Sequence, residues 1–378
     1  MASTSFRDLI IRTFERKQID RVVWQPRIRY WYDGNQVWKA PEEAEGLTLP
    51  YPEVPEKYRG KTPLQVYDLL RASPRYPGEV LDIGVFRTSM DPSSGIEQRI
   101  VQKDGATVRI VSTPRGEIRS VSRGGYPSEF PVKGPKDYPV VEYILEHTRF
   151  EFDAEAFEKA DRMFGPRGVI QSFYPRSPFQ SLVVEYMGAK NTFIQLHRNR
   201  EQTERFMESI DVWLDGVYDV LARSPLPVLN FGENIDANIA SPKYFKRYLV
   251  PFYQKRVDQL HRAGKFCHIH IDGAIRPLLP YLDLVDFDGV EAATPKPQGD
   301  VELDELKQGL GDKILLDGIP AVLFIPVYSK KHLAEFATEV LEKFSPNLIL
   351  GVSDELPPTA DIRGVELVSE IAERYEVG

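Results

Sequence analysis

The chain has 378 residues, 42% of them hydrophobic and 28% charged, a balance that suits a folded water-soluble protein and excludes a disordered chain or a bundle of membrane spans. Its 48 Lys and Arg against 56 Asp and Glu leave a formal net charge of -8, which works against a broad phosphate-binding surface, so nucleic acid is not an expected partner. The single cysteine, Cys267, excludes an internal disulfide and any cysteine-rich metal centre, so a metal would rest mainly on histidine and carboxylate.

The opening MASTSFRDLIIRTFERKQID carries charges inside what would be the apolar region of a signal peptide, and no later stretch approaches ~18 uninterrupted apolar residues. A cytoplasmic location without membrane contact is expected. Residues 5–17 follow helical periodicity, with Leu9, Ile10, Ile11 and Phe14 available to a core, and Val22–Trp24 reads as a first strand. From Pro26 to Lys133, segments such as VLDIGVFRTSM and ATVRIVSTPRGEIRSVSR alternate and are broken by Gly, Pro and Asp. This is expected to be a β-rich excursion within one domain spanning 1–378. After Pro139 the rhythm becomes regular. Strands are predicted at Gly168–Phe173, Leu226–Phe231, Lys265–Ile271, Phe287–Ala292, Ile314–Asp317 and Leu348–Val352. Between and after them, helices are predicted at Glu201–Ala222, Pro242–Ala263, Asp304–Gly309, Lys331–Phe344 and Arg363–Tyr375. Such repetition predicts an α/β fold with a parallel sheet covered on both faces.

Strand after strand then ends in polar residues: FGEN at 231–234, HIHIDG at 268–273, GVEAATP at 289–295, LLDGIP at 315–320 and LGVSDELPP at 350–358. In a (β/α)8 TIM barrel these ends converge on one rim, whereas an open doubly wound sheet would use fewer of them. No GxGxxG or GxxxxGK follows a strand, which argues against a dinucleotide or P-loop enzyme. A barrel with an elaborated N-terminal β-rich excursion is therefore the expected fold.

His268 and His270 stand two apart, so a strand presents both imidazoles on one face, and Cys267 falls on the other as a small buried residue. Imidazole suits zinc and other borderline metals, and Glu291 on the next strand or Glu233 on the preceding one is a candidate for the remaining ligand. Asp272 could orient a histidine or act as acid or base. The alternative is a metal-free hydrogen-bonded pocket for a polar substrate. Asp317 emerges directly from its strand and is a catalytic candidate, while Asp354 and Glu355 sit in a proline-rich loop where carboxylates also shape turns. Asn234 could hydrogen-bond a bound molecule, and Arg27, Arg29 and Trp31 in PRIRYWYDG could hold a carboxylate beside an aromatic wall.

These residues resemble the uroporphyrinogen decarboxylase superfamily, especially its branch of corrinoid-dependent methyltransferases. The likeness runs through RDLIIRTFERKQIDRVVWQP, TPRGEI and PVKGPKDYPVVEYILEH to SPKYFKRYLVPFYQKRVDQLHRAGKFCHIHIDG and LGVSDELPP, nearly the whole chain. The decarboxylases' Arg-Gln-Ala-Gly-Arg segment is replaced here by PRIRYWYDG, which speaks against haem-pathway decarboxylation. The methyltransferases hold zinc through a His-x-Cys pair and a later Cys. His268 occupies the His position, His270 stands where the first Cys would be, and the later Cys is missing. The resemblance thus implies a zinc-like ion held by His268, His270 and a glutamate, Glu291 or else Glu233. It would polarise the ether oxygen of a methoxylated substrate whose methyl passes to a corrinoid, free or on a partner protein. Glu233, Asp272 or Asp317 would supply a proton, with Asn234, Arg27, Arg29 and Trp31 contacting the cofactor or substrate. A homodimer is a further family-level expectation. The alternatives are a decarboxylase or lyase, and a non-catalytic corrinoid- or tetrapyrrole-binding protein.

Overall fold

Short runs of β-branched and large apolar residues, bounded by Gly, Pro or Asp, are too brief for helices and pair instead as strands. The computed structural model describes residues 4–44 and 50–377, so residues 45–49 of the expected excursion lie outside it. Its strands are β1 (Val23–Trp24), β2 (Phe86–Met90), β3 (Glu97–Lys103), β4 (Ala106–Thr113), β5 (Gly116–Arg123), β6 (Tyr126–Glu129), β7 (Thr148–Phe152), β8 (Val228–Ile235), β9 (Phe266–Ile271), β10 (Gly289–Glu291), β11 (Ile314–Pro320) and β12 (Leu348–Ser353). Six of them form one sheet in the order β1-β12-β11-β10-β9-β8, and every pairing is parallel. All six therefore end on the same side.

The chain divides into two compact units: Met1–Val85 with Ala154–Phe173 and Pro225–Gly378, and Phe86–Asp153 with Tyr174–Ser224. The first unit contains the parallel sheet. Beside β1, Ser73 N donates to Trp24 O at 2.8 Å, and Gln171 N donates in turn to Arg75 O at 3.3 Å. The segment predicted as a strand at Gly168–Phe173 thus forms no strand; it is tied to the chain around Arg75 rather than paired in the sheet. The helix Phe6–Phe14, capped by Ser5 accepting from Asp8 N, buries Leu9, Ile10 and Phe14 in a cluster with Val23, Val169, Val228, Ile314, Leu316 and Ile349. Burying each such side chain is worth about 1.5–3 kcal/mol.

The second unit pairs β2 with β7 antiparallel and carries the antiparallel meander β3-β4-β5-β6, with the helices Tyr138–Glu146, Gly188–Arg198 and Arg200–Arg223. Strands thus occupy only the later part of the region read as β-rich. Before Phe86 the chain forms short helices at Arg29–Gly34, Pro63–Leu70 and Pro77–Val80. Two of these begin at proline, which fits a first helical turn, and Thr62 with Gln65 adds a capping box to the longer one. In the alternating sequence these prolines resemble strand breakers. Among the described residues no helix is long and apolar enough to cross a membrane.

Candidate active site

Strand β9 builds the centre of the site. Its alternation buries Cys267 on one side and presents His268 and His270, 0% and 3% exposed, on the other. Register places Glu291 of β10 beside His270 and Asn230 of β8 beside His268. Phe14 lies 5.6 Å from the Phe266 ring and 6.3 Å from that of His268, so polarity increases along β9 from Phe266 towards its C-terminal end.

Glu291 is the hub. Its Oε1 accepts from Arg75 Nη1 at 2.5 Å and from the Tyr76 hydroxyl at 2.7 Å, and its Oε2 accepts from Asn230 Nδ2 at 2.5 Å and meets His270 Nδ1 at 3.2 Å. The same guanidinium reaches the next carboxylate, Arg75 Nη2 donating to Asp317 Oδ1 at 2.8 Å, and its Nε donates to Gln25. His268 Nε2 faces Gln171 Oε1 at 2.8 Å, and its Nδ1 stands 3.8 Å from Glu291 Oε2.

These contacts separate the protonation states of neighbouring groups. Burial would raise Glu291, but Arg75 and the hydrogen bond and charge of His270 hold it well below the usual carboxylate range. Burial pushes Asp317 up to about 7, opposed by Arg75 and reinforced by the charge of Glu291. Burial likewise lowers His268 to about 4, whereas for His270 it is outweighed by Glu291 and Asp354, which raise it. The two acids and the two imidazoles are thus shifted in opposite directions, a pattern common at sites that move protons. Among the described residues, buried atoms Asp317 Oδ2, Asn230 Oδ1, Gln171 Nε2 and His268 Nδ1 have no hydrogen-bond partner. They supply both donors and acceptors for a polar ligand.

Beyond these lie the ends of β9 and β12. His270 Nε2 is 3.9 Å from Asp354 Oδ1, and His270, Asp272 and Asp354 each offer one ligand atom within 4.8 Å of the others. Burial, chiefly, raises Asp272, while Asn234 Nδ2 stands 3.5 Å from its Oδ2. Arg27 is clasped by Glu79 and Asp354, both at 2.5 Å, and by Glu355 at 3.3 Å. Burial pushes Glu355 up to about 7 against the pull of Arg27.

The structure brings His268, His270 and Glu291 together, with Asp317 joined to them through Arg75. In this arrangement Glu291 already faces a guanidinium, and the atoms spaced to share an ion are those of His270, Asp272 and Asp354. Glu233 is 1% exposed near the end of β8. Arg29 bonds to Asp33, Asp82 and the Glu79 carbonyl, and Trp31 is buried edge-on against Tyr58. Arg75, Tyr76, Asn230 and Gln171 were not singled out by the sequence. The signal for Arg75 would be SPRYP, two prolines enforcing an extended stretch where a second barrel strand is due.

Backbone strain collects in and beside these strands. Asn234, Ala292 and Asp317 have φ of 53°, 64° and 85°, a region that costs a non-glycine residue about 1–3 kcal/mol. Gly351 is needed for space: a Cβ there would lie 2.5 Å from Asp317 Oδ1 and 2.9 Å from the Gln25 carbonyl. Gly351→Ala is expected to cost about 1–3 kcal/mol by overpacking, read from the midpoint of urea unfolding. An unchanged midpoint would show that this seam can yield.

No protein-family profile and no curated protein sequence matches the chain. Among solved structures it is similar to a methyltransferase from Methanosarcina mazei, at 14% identity and a TM-score of 0.60, covering 98% of this chain and 99% of the other. A B12-independent methionine synthase from Shewanella sp. W3-18-1 aligns at 12% identity and a TM-score of 0.49, covering 94% and 97% of the two chains. The likeness to the Methanosarcina mazei protein is one of fold.

Proposed function

We propose that this protein is a metal-dependent methyltransferase with a (β/α)8 barrel, moving a methyl group between a small methoxylated substrate and a corrinoid that is free or carried by a partner protein. The resemblance to the uroporphyrinogen decarboxylase superfamily and the fold shared with the Methanosarcina mazei methyltransferase support this reading. So do the backbone hydrogen bonds from Ser73 to Trp24 and from Gln171 to Arg75, which would set two further staves beside the six paired strands. The observation that carries the metal is the convergence of His270, Asp272 and Asp354 at the strand ends. One imidazole and two carboxylates suit zinc or a harder divalent ion. Bound there, the ion would polarise the ether oxygen, and the corrinoid would supply the nucleophile that takes the methyl group.

The chain's own residues prepare that step. Glu291 engages Nδ1 of His270, which leaves Nε2 facing Asp354, and Arg75 keeps Glu291 anionic so that the imidazole is held in place. His268 and Glu291, expected among the ligands, would then orient the site rather than hold the ion. Asp317, protonated below about pH 7, would give its proton to the oxygen that loses the methyl group, with buried Glu233 as a second source. Asn234 would contact the substrate.

A decarboxylase would need a free cation for its substrate's carboxylate, yet Arg27 and Arg29 are each engaged by carboxylates of the chain. The test is methyl transfer from a methoxylated aromatic to free Co(I) cobalamin, followed by its visible spectrum, with metal measured by elemental analysis. His270→Ala is expected to abolish transfer and remove the ion at the strand ends. Release of carbon dioxide from a carboxylated substrate without methyl transfer would overturn the proposal.

A further inference from the structure

At the opposite, N-terminal ends of the same strands lies another cluster, made of residues for which the proposed reaction has no use. Cys267, at the start of β9, is fully buried. His261, in the last turn of the helix Val250–Arg262, and Asp288, just before β10, are 29% and 19% exposed in their side chains. His261 Nε2 is 2.9 Å from Asp288 Oδ2 and 3.7 Å from Cys267 Sγ, and Asp288 Oδ2 also accepts from Cys267 N at 2.7 Å.

We infer that Cys267 Sγ, His261 Nε2 and Asp288 Oδ2 form a binding site for a zinc-like divalent cation, distinct from the site at the strand ends and independent of the proposed function. Each of the three residues offers one ligand atom within 4.8 Å of those of the other two. Around a tetrahedral ion with Zn–N and Zn–O near ~2.0 Å and Zn–S near ~2.3 Å, nitrogen and oxygen ligands stand ~3.3 Å apart and nitrogen and sulfur ~3.5 Å. The spacings found, 2.9 and 3.7 Å, need shifts of only a few tenths of an ångström.

The cluster does not have the geometry of a nucleophile with its base. In that arrangement the carboxylate orients the imidazole through the nitrogen remote from the thiol. Here sulfur and carboxylate meet the same nitrogen, and the thiol also bonds the Asp288 carboxylate, so the three ligand atoms face one another. A shared cation accommodates both. The surrounding charge favours it: Asp286 Oδ2 lies 3.9 Å from His261 Nδ1, and Asp258 also acts on the ring. The nearby cation, Arg16, donates to the backbone carbonyl of Asp288 and to Asn347, leaving the Asp288 carboxylate to the cluster. The exposure of His261 and Asp288 admits water to a fourth position. On binding, the thiol proton would pass to solvent, and the ion would tie the helix to the starts of β9 and β10.

Because Cys267 is the only cysteine, it labels the site spectroscopically. Co(II) added to the wild-type protein is expected to give a near-ultraviolet thiolate-to-cobalt charge-transfer band, which Zn(II) bleaches by displacement. The band should be lost in Cys267→Ser and His261→Ala and kept in His270→Ala, whatever becomes of methyl transfer in that variant. Absence of the band from folded wild-type protein at saturating Co(II), or its persistence at unchanged affinity in His261→Ala, would overturn the inference. The wild-type titration decides even if the variants fold poorly.

Discussion

Arg75→Ala is expected to destabilise the protein by about 3–5 kcal/mol, the cost of removing one partner from a buried ion pair. Arg75 is 1% exposed and holds two carboxylates, Glu291 and Asp317, that are both fully buried. Without the guanidinium, Glu291 keeps only Tyr76, Asn230 and the imidazoles, and Asp317 loses the one bond found for its carboxylate. The melting temperature should fall by about 4–6 °C. Arg75→Lys should fall between wild type and Arg75→Ala, because a point charge cannot span both acids as the planar fork does. Urea unfolding of the three proteins checks the order. If Arg75→Ala unfolds within about 1 kcal/mol of wild type, the network does not hold the sheet ends together.

Asp317→Asn is expected to divide activity from stability. Methyl transfer should fall about 10²–10⁴-fold through loss of a positioned proton donor. Stability at neutral pH should rise. Asp317 titrates at about 7 when folded, and near the ordinary ~3.9 when unfolded, so between those values the folded chain retains a proton that the unfolded chain has lost. That contribution is complete below about pH 4 and is lost as pH rises to about 7, a change of a few kcal/mol at most. His268 acts oppositely in an overlapping window. Its folded value of about 4 lies below the unfolded ~6.5, so its contribution is present above ~6.5 and lost as pH falls towards 4. The wild-type curve mixes the two. The difference between Asp317→Asn and wild type isolates Asp317 and should grow in the variant's favour from pH 4 to pH 8. A flat difference would mean that Asp317 is already ionised in the folded protein, and its role as proton donor would go with it.

The sequence alone determined the local elements. Apolar runs with period two or 3.6 identified β8 to β12 and the helices Arg200–Arg223, Lys330–Phe344 and Ile362–Arg374 to within a few residues, because periodicity reflects which face is buried. It also placed His268 and His270 on one face of a strand and Glu291 at a strand end, whereas Asp317, expected at the end of its strand, lies buried inside β11, which runs on to Pro320. Only the tertiary structure decided what these groups do. Arg75 meets Glu291 across 216 positions, and His270 meets Glu291 through the register of two parallel strands. No short-range pattern encodes such distances. Cys267, His261 and Asp288 likewise converge only when a helix end folds back on two strand starts. Chemistry here depends on which charges share a dry interior, and that is set by long-range packing.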